Sequence, residues 1–273
     1  HTVLDLPGGA FTGAGVKSLS QTLDVVGGFG RSVRDVGLLG AVLTGDARLA
    51  DLGEPTAPRI GLFQTPTWPQ ADADTQRAWA QATRALAKHS QDAASPPNFG
   101  ELIQLQKDVM AFEMARALSH ERLRHRERLS ERLVALLDEG MAISGATHAA
   151  NLARTADWRL RIDALFERHD VLLTPSATGE APLGIAATGD PLFCRSWTLL
   201  GLPCVHLPFT TGSHGLPIGL QLVGRQGQDH PLLDDAHWVH ERLTRECSVN
   251  NSPRTYSPQT HEQHDEVAVT RAT

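Results

Sequence analysis

A lysine next to two serines is the first group in this sequence that could do chemistry. Lys17, Ser18 and Ser20 lie in the stretch GVKSLS, and a neutral lysine can serve as the base for a nucleophilic serine. Neighbouring side chains on an extended strand point to opposite faces, however, so Lys17 and Ser18 would not face each other. The residues alone therefore favour a structural role for Lys17.

Other sequence patterns for nucleophilic or phosphate chemistry are weak. No Gly-x-Ser-x-Gly stretch, which would place a hydrolase serine on a sharp turn, occurs. The segment TGAGVKS (residues 12–18) lacks the first glycine that a phosphate-binding loop requires. We therefore expect neither a serine–histidine–aspartate hydrolase nor a nucleotide-binding protein.

The 13 histidines do not indicate a metal site, and no His-Glu-x-x-His pattern is present. The close pairs are His120 with His125, His237 with His240, and His261 with His264. The first two pairs lie on charged helix faces and the third lies in a polar tail, where the outer-shell support that a metal ligand needs is missing. We expect no bound metal.

The charge pattern argues against nucleic acid and acidic membranes as partners. The net charge is −6, and such a charge repels polyanions. Arginines are concentrated in residues 122–132, but Glu121, Glu127 and Glu131 alternate with them. That mixture is typical of a solvated helix face with ion pairs.

The cysteines and the hydropathy suggest a cytoplasmic protein. Cys194, Cys204 and Cys247 are too few for a disulfide framework, which favours a reducing compartment. No apolar run approaches the roughly 18–20 residues of a membrane span. The sequence also lacks an opening signal peptide.

Apolar spacing predicts alternating helices and strands. Helices are expected at about 32–43 (ending at Gly45), after Asp72 or Asp74, at 99–118, through the charged run to Gly140, from Thr147 to about 169, and at 231–242. Strands are expected at 58–63 and 170–174, with short strands within residues 1–30. One fully apolar strand among helices indicates an α/β protein whose sheet is covered on both faces.

Two further strands are predicted by LLGLPCVHLPFTTGSHGLPIGLQLVG (residues 199–224). Apolar side chains alternate at Val205, Leu207 and Phe209 and again at Ile218, Leu220 and Leu222. A Thr-Gly-Ser-His-Gly turn separates the two runs, which is the pattern of a hairpin. Beyond Ser248 the polar composition with scattered prolines predicts a disordered tail over 248–273.

Several segments, in this order, resemble the amidase signature family. They are GVKSLSQTLDVVGGFGRSVRDVGLL (15–39), PRIGL (58–62), DVLLTPSATGEAP (170–182), WTLLGLPCVHLPF (197–209) and GLPIGLQLVGR (215–225). One segment alone would be a weak match, whereas the ordered set is a strong one. The resemblance implies an α/β fold with a mixed β-sheet flanked by helices on both faces, and hydrolysis of carboxylic amides without a cofactor.

In that family a lysine, a serine in cis-peptide geometry and a nucleophilic serine break the bond. The family's glycine- and serine-rich catalytic stretch has no counterpart in residues 1–12, and Lys17 matches a later segment. We therefore expect residues 1–247 to be the C-terminal part of a single amidase domain, incomplete in its N-terminal part. It would contain no catalytic residue and be inactive alone.

The resemblance and the position of the loop after an apolar strand predict a substrate pocket. Its expected residues are Thr174, Pro175, Ser176, Asp190, Phe193 and Trp197. They would shape and orient a small-molecule amide rather than break its bond, and Phe193 and Trp197 would also fit a simple core. Two alternatives stay open: a non-catalytic amidase-like remnant, and a protein similar to the A-subunit of glutamine-dependent amidotransferases. A homodimer is left open as well.

Overall fold

The computed structural model describes residues 2–6, 15–54 and 56–250, and within them one seven-stranded sheet forms the centre of the fold. The strands are β1 (Thr2–Leu6), β2 (Val26–Gly30), β3 (Ile60–Leu62), β4 (Ser90–Asp92), β5 (Val171–Pro175), β6 (Cys204–Thr211) and β7 (Pro217–Val223). Their order across the sheet is β2-β1-β6-β7-β5-β3-β4. β3 runs parallel to β4 and β5, and the remaining pairs are antiparallel. The predicted mixed sheet is confirmed.

Eight α-helices surround the sheet in the described part of the chain. They are α1 (Val33–Thr44), α2 (Ala73–Ala85), α3 (Glu101–Ala117), α4 (Ser119–Arg124), α5 (Glu131–Ala142), α6 (Gly145–Asp163), α7 (Arg195–Leu200) and α8 (Asp229–Asn250). None of these helices combines the length and the apolar character that crossing a bilayer requires.

Local capping explains where several helices begin and end. Ser32 and Asp35 form a reciprocal capping box at the start of α1, and Asp72 accepts a hydrogen bond from Thr75 N at the start of α2. Gly45 ends α1 with φ 75°, a left-handed conformation that glycine adopts without strain. The predicted helix with a glycine stop is confirmed, and of the two predicted caps, Asp72 and Asp74, the structure has Asp72.

Apolar clusters cover both faces of the sheet. On one face, which we call the α8 face, α1, α2 and α8 pack against strand residues such as Leu173, Val205 and Leu222. On the other, the α3 face, α3, α6 and α7 pack against Leu172 and Val223. Successive strand residues point to opposite faces, so each central strand serves both clusters. The prediction of a sheet covered on both faces is confirmed.

The predicted hairpin is present as β6 and β7. Leu207 pairs with Leu220 and Val205 with Leu222, and all four side chains are buried. Pro203 precedes β6, and Pro217 is the first residue of β7, where a missing N–H costs little.

Several helix boundaries differ from the predictions, and α6 also ends at Asp163 rather than near residue 169. Gly140 was expected to end a helix but lies inside α5, where an added Cβ would overlap the backbone of Ala111 in α3. This glycine permits close helix packing rather than a turn. α6 starts earlier than Thr147, because Ser144 accepts the cap hydrogen bond from Thr147 N.

The last helix is longer than the predicted 231–242. α8 continues to Asn250, three residues into the segment expected to be a tail. The rest of the predicted tail, including the His261–His264 pair, lies outside the described residues.

Candidate functional site

The end of β5 gathers three of the six predicted pocket residues. Thr174 and Pro175 are buried as the last residues of β5, and Ser176 follows them half-buried. Leu172 packs on the α3 face, so the alternation of the strand places Thr174 on that face too. The Thr174 hydroxyl oxygen is buried and makes no hydrogen bond within the described part of the chain.

Gln221, in β7, connects this strand end to Phe193, another of the predicted pocket residues. Its side-chain amide donates to the carbonyl oxygen of Pro175 at 2.9 Å and to that of Phe193 at 3.3 Å. Gln221 is paired with Thr174 across the sheet and is 4% exposed. One buried amide therefore fixes the distance between the end of β5 and the segment that enters α7.

Two further contacts hold the base of the loop after β5. Ser176 Oγ donates to the carbonyl oxygen of Gly219 at 3.3 Å, and Cys194 Sγ donates to the carbonyl oxygen of Ser176 at 3.2 Å. Cys194 Sγ also lies 3.8 Å from Gln221 Oε1. The loop therefore leaves the sheet along a path that β7 and the start of α7 determine together.

A cavity of about 320 Å³ opens beside these contacts on the α3 face. Residues 23–25, α7 with its C-terminal glycine, and the adjacent ends of β6 and β7 surround it. Trp197, Cys194 and Gln221 are part of its wall, and Asp24 is its one carboxylate. The cavity is therefore largely apolar with a few polar groups, which suits a small organic molecule.

Trp197 belongs both to the cavity wall and to the core. Its ring packs against Phe63 at 5.4 Å and Phe99 at 5.5 Å between centroids, and the residue is 1% exposed. The indole Nε1–H is buried and has no acceptor among the residues that the structure covers. Phe193 is equally buried, but it does not line the cavity.

Asp190 lies apart from the other predicted pocket residues. Its side chain is 63% exposed and faces Arg195, with 3.4 Å between the closest charged atoms. Arg195 also donates to Gln106 Oε1 at 3.0 Å. The structure therefore places Asp190 at the outer end of a polar chain that leads from the surface to α3.

His206, in β6, pairs with Gln221 across the sheet. Burial lowers the pKa of His206 to about 4. Its imidazole is therefore neutral near pH 7, and it brings no positive charge to the α3 face.

Lys17 and Ser18 do not form a base–nucleophile pair. Lys17 forms an ion pair with Glu121 and its side chain is 58% exposed, while Ser18 Oγ donates to Asp24 at 2.8 Å. The two other lysines of the sequence, Lys88 and Lys107, are also exposed. No lysine in this chain occupies the buried setting that would favour a neutral amine.

A second group superficially resembles a catalytic triad at the β6–β7 turn. His214 Nδ1 lies 3.4 Å from Ser213 Oγ and 2.7 Å from Glu180 Oε2. A triad needs both ring nitrogens, one for each partner, whereas here a single nitrogen makes both contacts. Ser213 Oγ also donates to Asp74 at 2.9 Å, so these carboxylates anchor the turn.

No group of three metal-ligating side chains occurs in residues 2–6, 15–54 and 56–250. His120 and His125 meet edge to face at 5.4 Å, and His237 lies 3.6 Å from Glu241 on the same helix. These two histidine pairs therefore contact side chains that are close to them in the sequence.

Sequence reasoning missed Gln221, the residue that joins the predicted positions. A signal was available, because Gln221 is the only polar side chain in the apolar run from Ile218 to Val223. A buried amide in such a strand must find hydrogen-bond partners. Which carbonyl groups would meet it could not be read from the spacing.

Comparison with known protein families and structures is consistent with this architecture. The family model described as Amidase matches residues 8–233. A solved structure described as an amidase superposes with a TM-score of 0.77 at 23% identity, covering 89% of this chain and 58% of that one. The substrate complex of 6-aminohexanoate cyclic dimer hydrolase gives a TM-score of 0.70 at 22% identity, covering 89% and 60%. At such identities the superpositions show a shared fold.

Curated relatives match over a shorter stretch. The A-subunit of the mitochondrial glutamyl-tRNA(Gln) amidotransferase of Rattus norvegicus is 36% identical over 83 residues, covering 27% of this chain and 16% of that protein. The corresponding protein of Synechococcus sp. (strain WH7803) is 41% identical over 86 residues, covering 29% and 18%. The matched stretch is less than a fifth of the length of these relatives. Because the family model covers most of the sequence, the chain belongs to the amidase family.

Proposed function

We propose that this chain supplies the sheet and one wall of the acyl pocket of an amide hydrolase acting on non-peptide C–N bonds. The observation that carries the proposal is the cavity beside Trp197 and Gln221 in a chain of the amidase family. The cavity lining combines apolar side chains with the Gln221 amide, which suits a small organic molecule that carries one polar group, and the family favours an amide as that group. The preferred ligand is therefore a small carboxamide.

The roles of the residues follow from their contacts. Trp197 and Cys194 shape the cavity, and Gln221 holds Pro175 and Phe193 in place around it. Thr174 and Ser176 belong to the strand end and loop base that this amide positions, while Asp190 would act from outside the cavity, through Arg195. None of these residues is assigned to bond breaking.

We further propose that the bond-breaking groups are not among the residues of this chain. The family's mechanism needs a buried, neutral lysine, whereas Lys17, Lys88 and Lys107 are all exposed to solvent. The chain alone would then bind an amide without hydrolysing it. A second possibility, a non-catalytic amidase-like protein, makes the same prediction for the isolated chain.

A component of an amidotransferase is a distinct alternative with an observation in its favour. The chain shares a stretch with the A-subunit of glutamyl-tRNA(Gln) amidotransferases. Under this alternative the chain would co-purify with a second, different polypeptide, and that assembly would release ammonia from glutamine. Ammonia release from simple amides by the same preparation would instead favour the hydrolase.

The proposed compartment and assembly follow from simpler features. The low cysteine content supports a reducing compartment, and we place the protein in the cytoplasm. The acidic net charge supports a small-molecule partner rather than nucleic acid or an acidic membrane. We propose a homodimer as the assembled state.

Binding and turnover can be tested separately on the purified chain. Adding benzamide should shift the NMR signal of the Trp197 indole N–H and leave that of Trp238, which packs on the α8 face, unchanged. An unmoved Trp197 signal at saturating benzamide would contradict the pocket.

For turnover, ammonia release would be measured with a panel of aryl and aliphatic amides. We expect no release above a protein-free control. Hydrolysis that disappears in a Lys17→Ala variant would overturn the proposal that this chain lacks the bond-breaking groups.

A further inference from the structure

The polar side chains that line the cavity beside Trp197 are already engaged with the protein. They are Asp24, Cys194, Thr198, Cys204 and Gln221. The side-chain amide of Gln221 uses both of its protons, since its Nε2 donates to the carbonyl oxygens of Pro175 and Phe193. The group that it can offer to a ligand is its oxygen, which accepts a hydrogen bond and cannot donate one.

The hydroxyl and thiol groups of the lining also donate their protons to the protein. Thr198 Oγ1 donates to the carbonyl oxygen of Cys194 at 3.2 Å. Cys194 Sγ donates to the carbonyl oxygen of Ser176 at 3.2 Å. Cys204 Sγ donates to that of Leu202 at 3.6 Å. Each of these groups has a single proton, so a ligand would meet lone pairs at all three side chains.

Asp24 adds a negative charge to the same wall. Its carboxylate accepts hydrogen bonds from Ser18 Oγ at 2.8 Å, from Leu19 N at 2.9 Å and from Ser20 N at 3.2 Å. A carboxylate has about four lone-pair positions, so these bonds leave room for a further donor, and Asp24 is exposed. The three donors are uncharged groups, which fix the position of the carboxylate and leave its charge in place.

Positive charges and accessible side-chain donors are missing from the lining as far as the structure describes the chain. No lysine, arginine or histidine lines the cavity there. Arg159 lies near Gly201, but its guanidinium donates to the carbonyl oxygens of Leu199 and Leu200. The indole Nε1 of Trp197 has almost no accessible surface, so a ligand in the cavity would not contact it. The lining side chains therefore combine hydrogen-bond acceptors with one negative charge.

We propose that this cavity selects ligands whose polar group donates N–H hydrogen bonds, binds an amidinium or ammonium cation most tightly, and excludes carboxylates. Acceptors that are fixed in place need donors from the ligand, whereas an acceptor on the ligand would face lone pairs. The carboxylate of Asp24 attracts a positive charge and repels a negative one. This inference rests on the proposal that the cavity beside Trp197 is the ligand site, and it narrows the class of ligand.

Such a selection would separate the substrate of an amide hydrolase from its acid product. Hydrolysis of a primary amide breaks the C–N bond, adds the oxygen of water to the carbonyl carbon and releases the nitrogen as ammonium. The N–H donors leave with the nitrogen, and the acyl group keeps a carboxylate that has acceptors alone. The cavity would therefore hold the amide more tightly than the acid.

Four ligands of nearly the same shape test the selection on the native chain at pH 7. Benzamide carries N–H donors, and acetophenone replaces its NH2 group with a methyl group. Benzamidine is a cation with donors alone, and benzoate is an anion with acceptors alone. Each ligand is titrated at low ionic strength while NMR follows the indole N–H signal of Trp197, with that of Trp238 as the reference.

The expected order of affinity follows from the lining. Acetophenone should bind on the order of fivefold more weakly than benzamide, because it cannot donate to the fixed acceptors. Benzamidine should bind on the order of fivefold more tightly than benzamide, a modest gain because Asp24 is exposed. Benzoate should bind roughly tenfold or more weakly than benzamide, since its charge has the sign of Asp24.

Asp24→Asn tests the charge while keeping an acceptor oxygen at the same position. Benzamidine and benzamide should then bind within about twofold of each other. The matched control is Asp51→Asn, at an exposed residue whose backbone contacts His230 of α8, and it should keep the preference for benzamidine. If Asp24→Asn disturbs the turn at residues 18–24, added salt tests the same point on the native chain. Salt screens an exposed charge and should remove the preference for benzamidine.

Failure of this inference and failure of the proposed function give different results. If benzamide shifts the Trp197 signal but acetophenone or benzoate binds equally well, the amide site stands and the donor selection is overturned. A preference for benzamidine that survives both Asp24→Asn and high salt would reject the role of Asp24. Binding of benzamidine without binding of benzamide would support the selection and reject an amide as the ligand. An unmoved Trp197 signal with all four ligands would overturn both proposals.

Discussion

A single buried amide holds together the parts of the candidate site. Gln221 donates to two carbonyl oxygens that lie 46 and 28 residues away in the sequence. Both acceptors belong to segments that frame the cavity, at the end of β5 and at the entry to α7. The side chain therefore acts as a positioning residue, and it is also part of the cavity wall.

Replacing Gln221 with methionine should reduce stability. The change keeps the length of the side chain but leaves the carbonyl oxygens of Pro175 and Phe193 without this donor, which should cost about 1–3 kcal/mol. The measurement is urea unfolding followed by circular dichroism. Gln104→Met is the matched control, since Gln104 is exposed and donates to Asp108 on the surface of the same helix, and it should change stability by a few tenths of a kcal/mol. Equal effects in the two variants would contradict the assigned role.

Asp235, on α8, should make stability depend on pH. Burial, followed by the nearby charges of Asp170 and Asp234, raises its pKa from 3.8 to about 7. Between these values the folded chain holds a proton that the unfolded chain has lost. The free energy of unfolding contributed by this group therefore falls as pH rises from about 4 to about 7, and it is constant above.

Asp235→Asn should remove the loss of stability that ionisation of Asp235 causes at high pH. We expect the variant to be more stable than the parent by about 1–4 kcal/mol at pH 8, and equally stable near pH 3. The difference between variant and parent isolates this group from His206, whose lowered pKa has the opposite effect between about 4 and 6.5. Asp157→Asn, at an exposed site, is the control. A difference that does not change with pH would be evidence against the raised pKa.

At the scale of elements, close approach decides how the helices pack. α5 lies against α3 because Gly140 has no side chain where the backbone of Ala111 passes. The contact buries Leu137 together with Met114 and Leu118 in a small cluster away from the sheet. Contacts between distant segments also fix the β6–β7 turn. There, Asp74 accepts a hydrogen bond from Ser213 N and Glu180 accepts one from Leu216 N.

Gly140→Ala should therefore be strongly destabilising. The added methyl group cannot be accommodated without moving α5 away from α3, which should cost about 3 kcal/mol or more. Gly145→Ala is the matched control: an added Cβ there meets nothing within 4 Å, and alanine favours the helix by up to about 1 kcal/mol. Thermal unfolding of both variants would measure the contrast. A mild effect at Gly140 would show that the two helices are further apart than described.

At the scale of the whole molecule, one sheet serves two apolar clusters. β5, β6 and β7 contribute alternate side chains to the α8 face and to the α3 face. If these strands separate from the helices on one face, the apolar side chains that they contribute to the other face are exposed as well. The two faces should therefore unfold together rather than as separate units.

Tryptophan residues on both faces allow this to be tested without substitution. Trp79 packs on the α8 face and Trp197 on the α3 face. Their indole N–H signals, followed by NMR through a urea titration, should disappear with the same midpoint. Distinct midpoints would mean that the faces belong to independently stable parts.

Local features of the sequence determined most elements of this protein. The glycine stop at Gly45 and the alternation of β6 and β7 follow from local spacing, which was sufficient to predict them, while for α2 the spacing left Asp72 and Asp74 as alternative caps. The family was also identifiable from the sequence, because its segments occur in order.

The tertiary structure alone decided which of these pieces meet. It joined Gln221 to Pro175 and Phe193, separated Asp190 from the other predicted pocket residues, and gave Gly140 a packing role in place of a turn. The physical reason is that such contacts depend on strand register and helix approach, which no local pattern contains. The residue types show which groups need hydrogen-bond or packing partners, whereas the identity of each partner depends on how the whole chain packs.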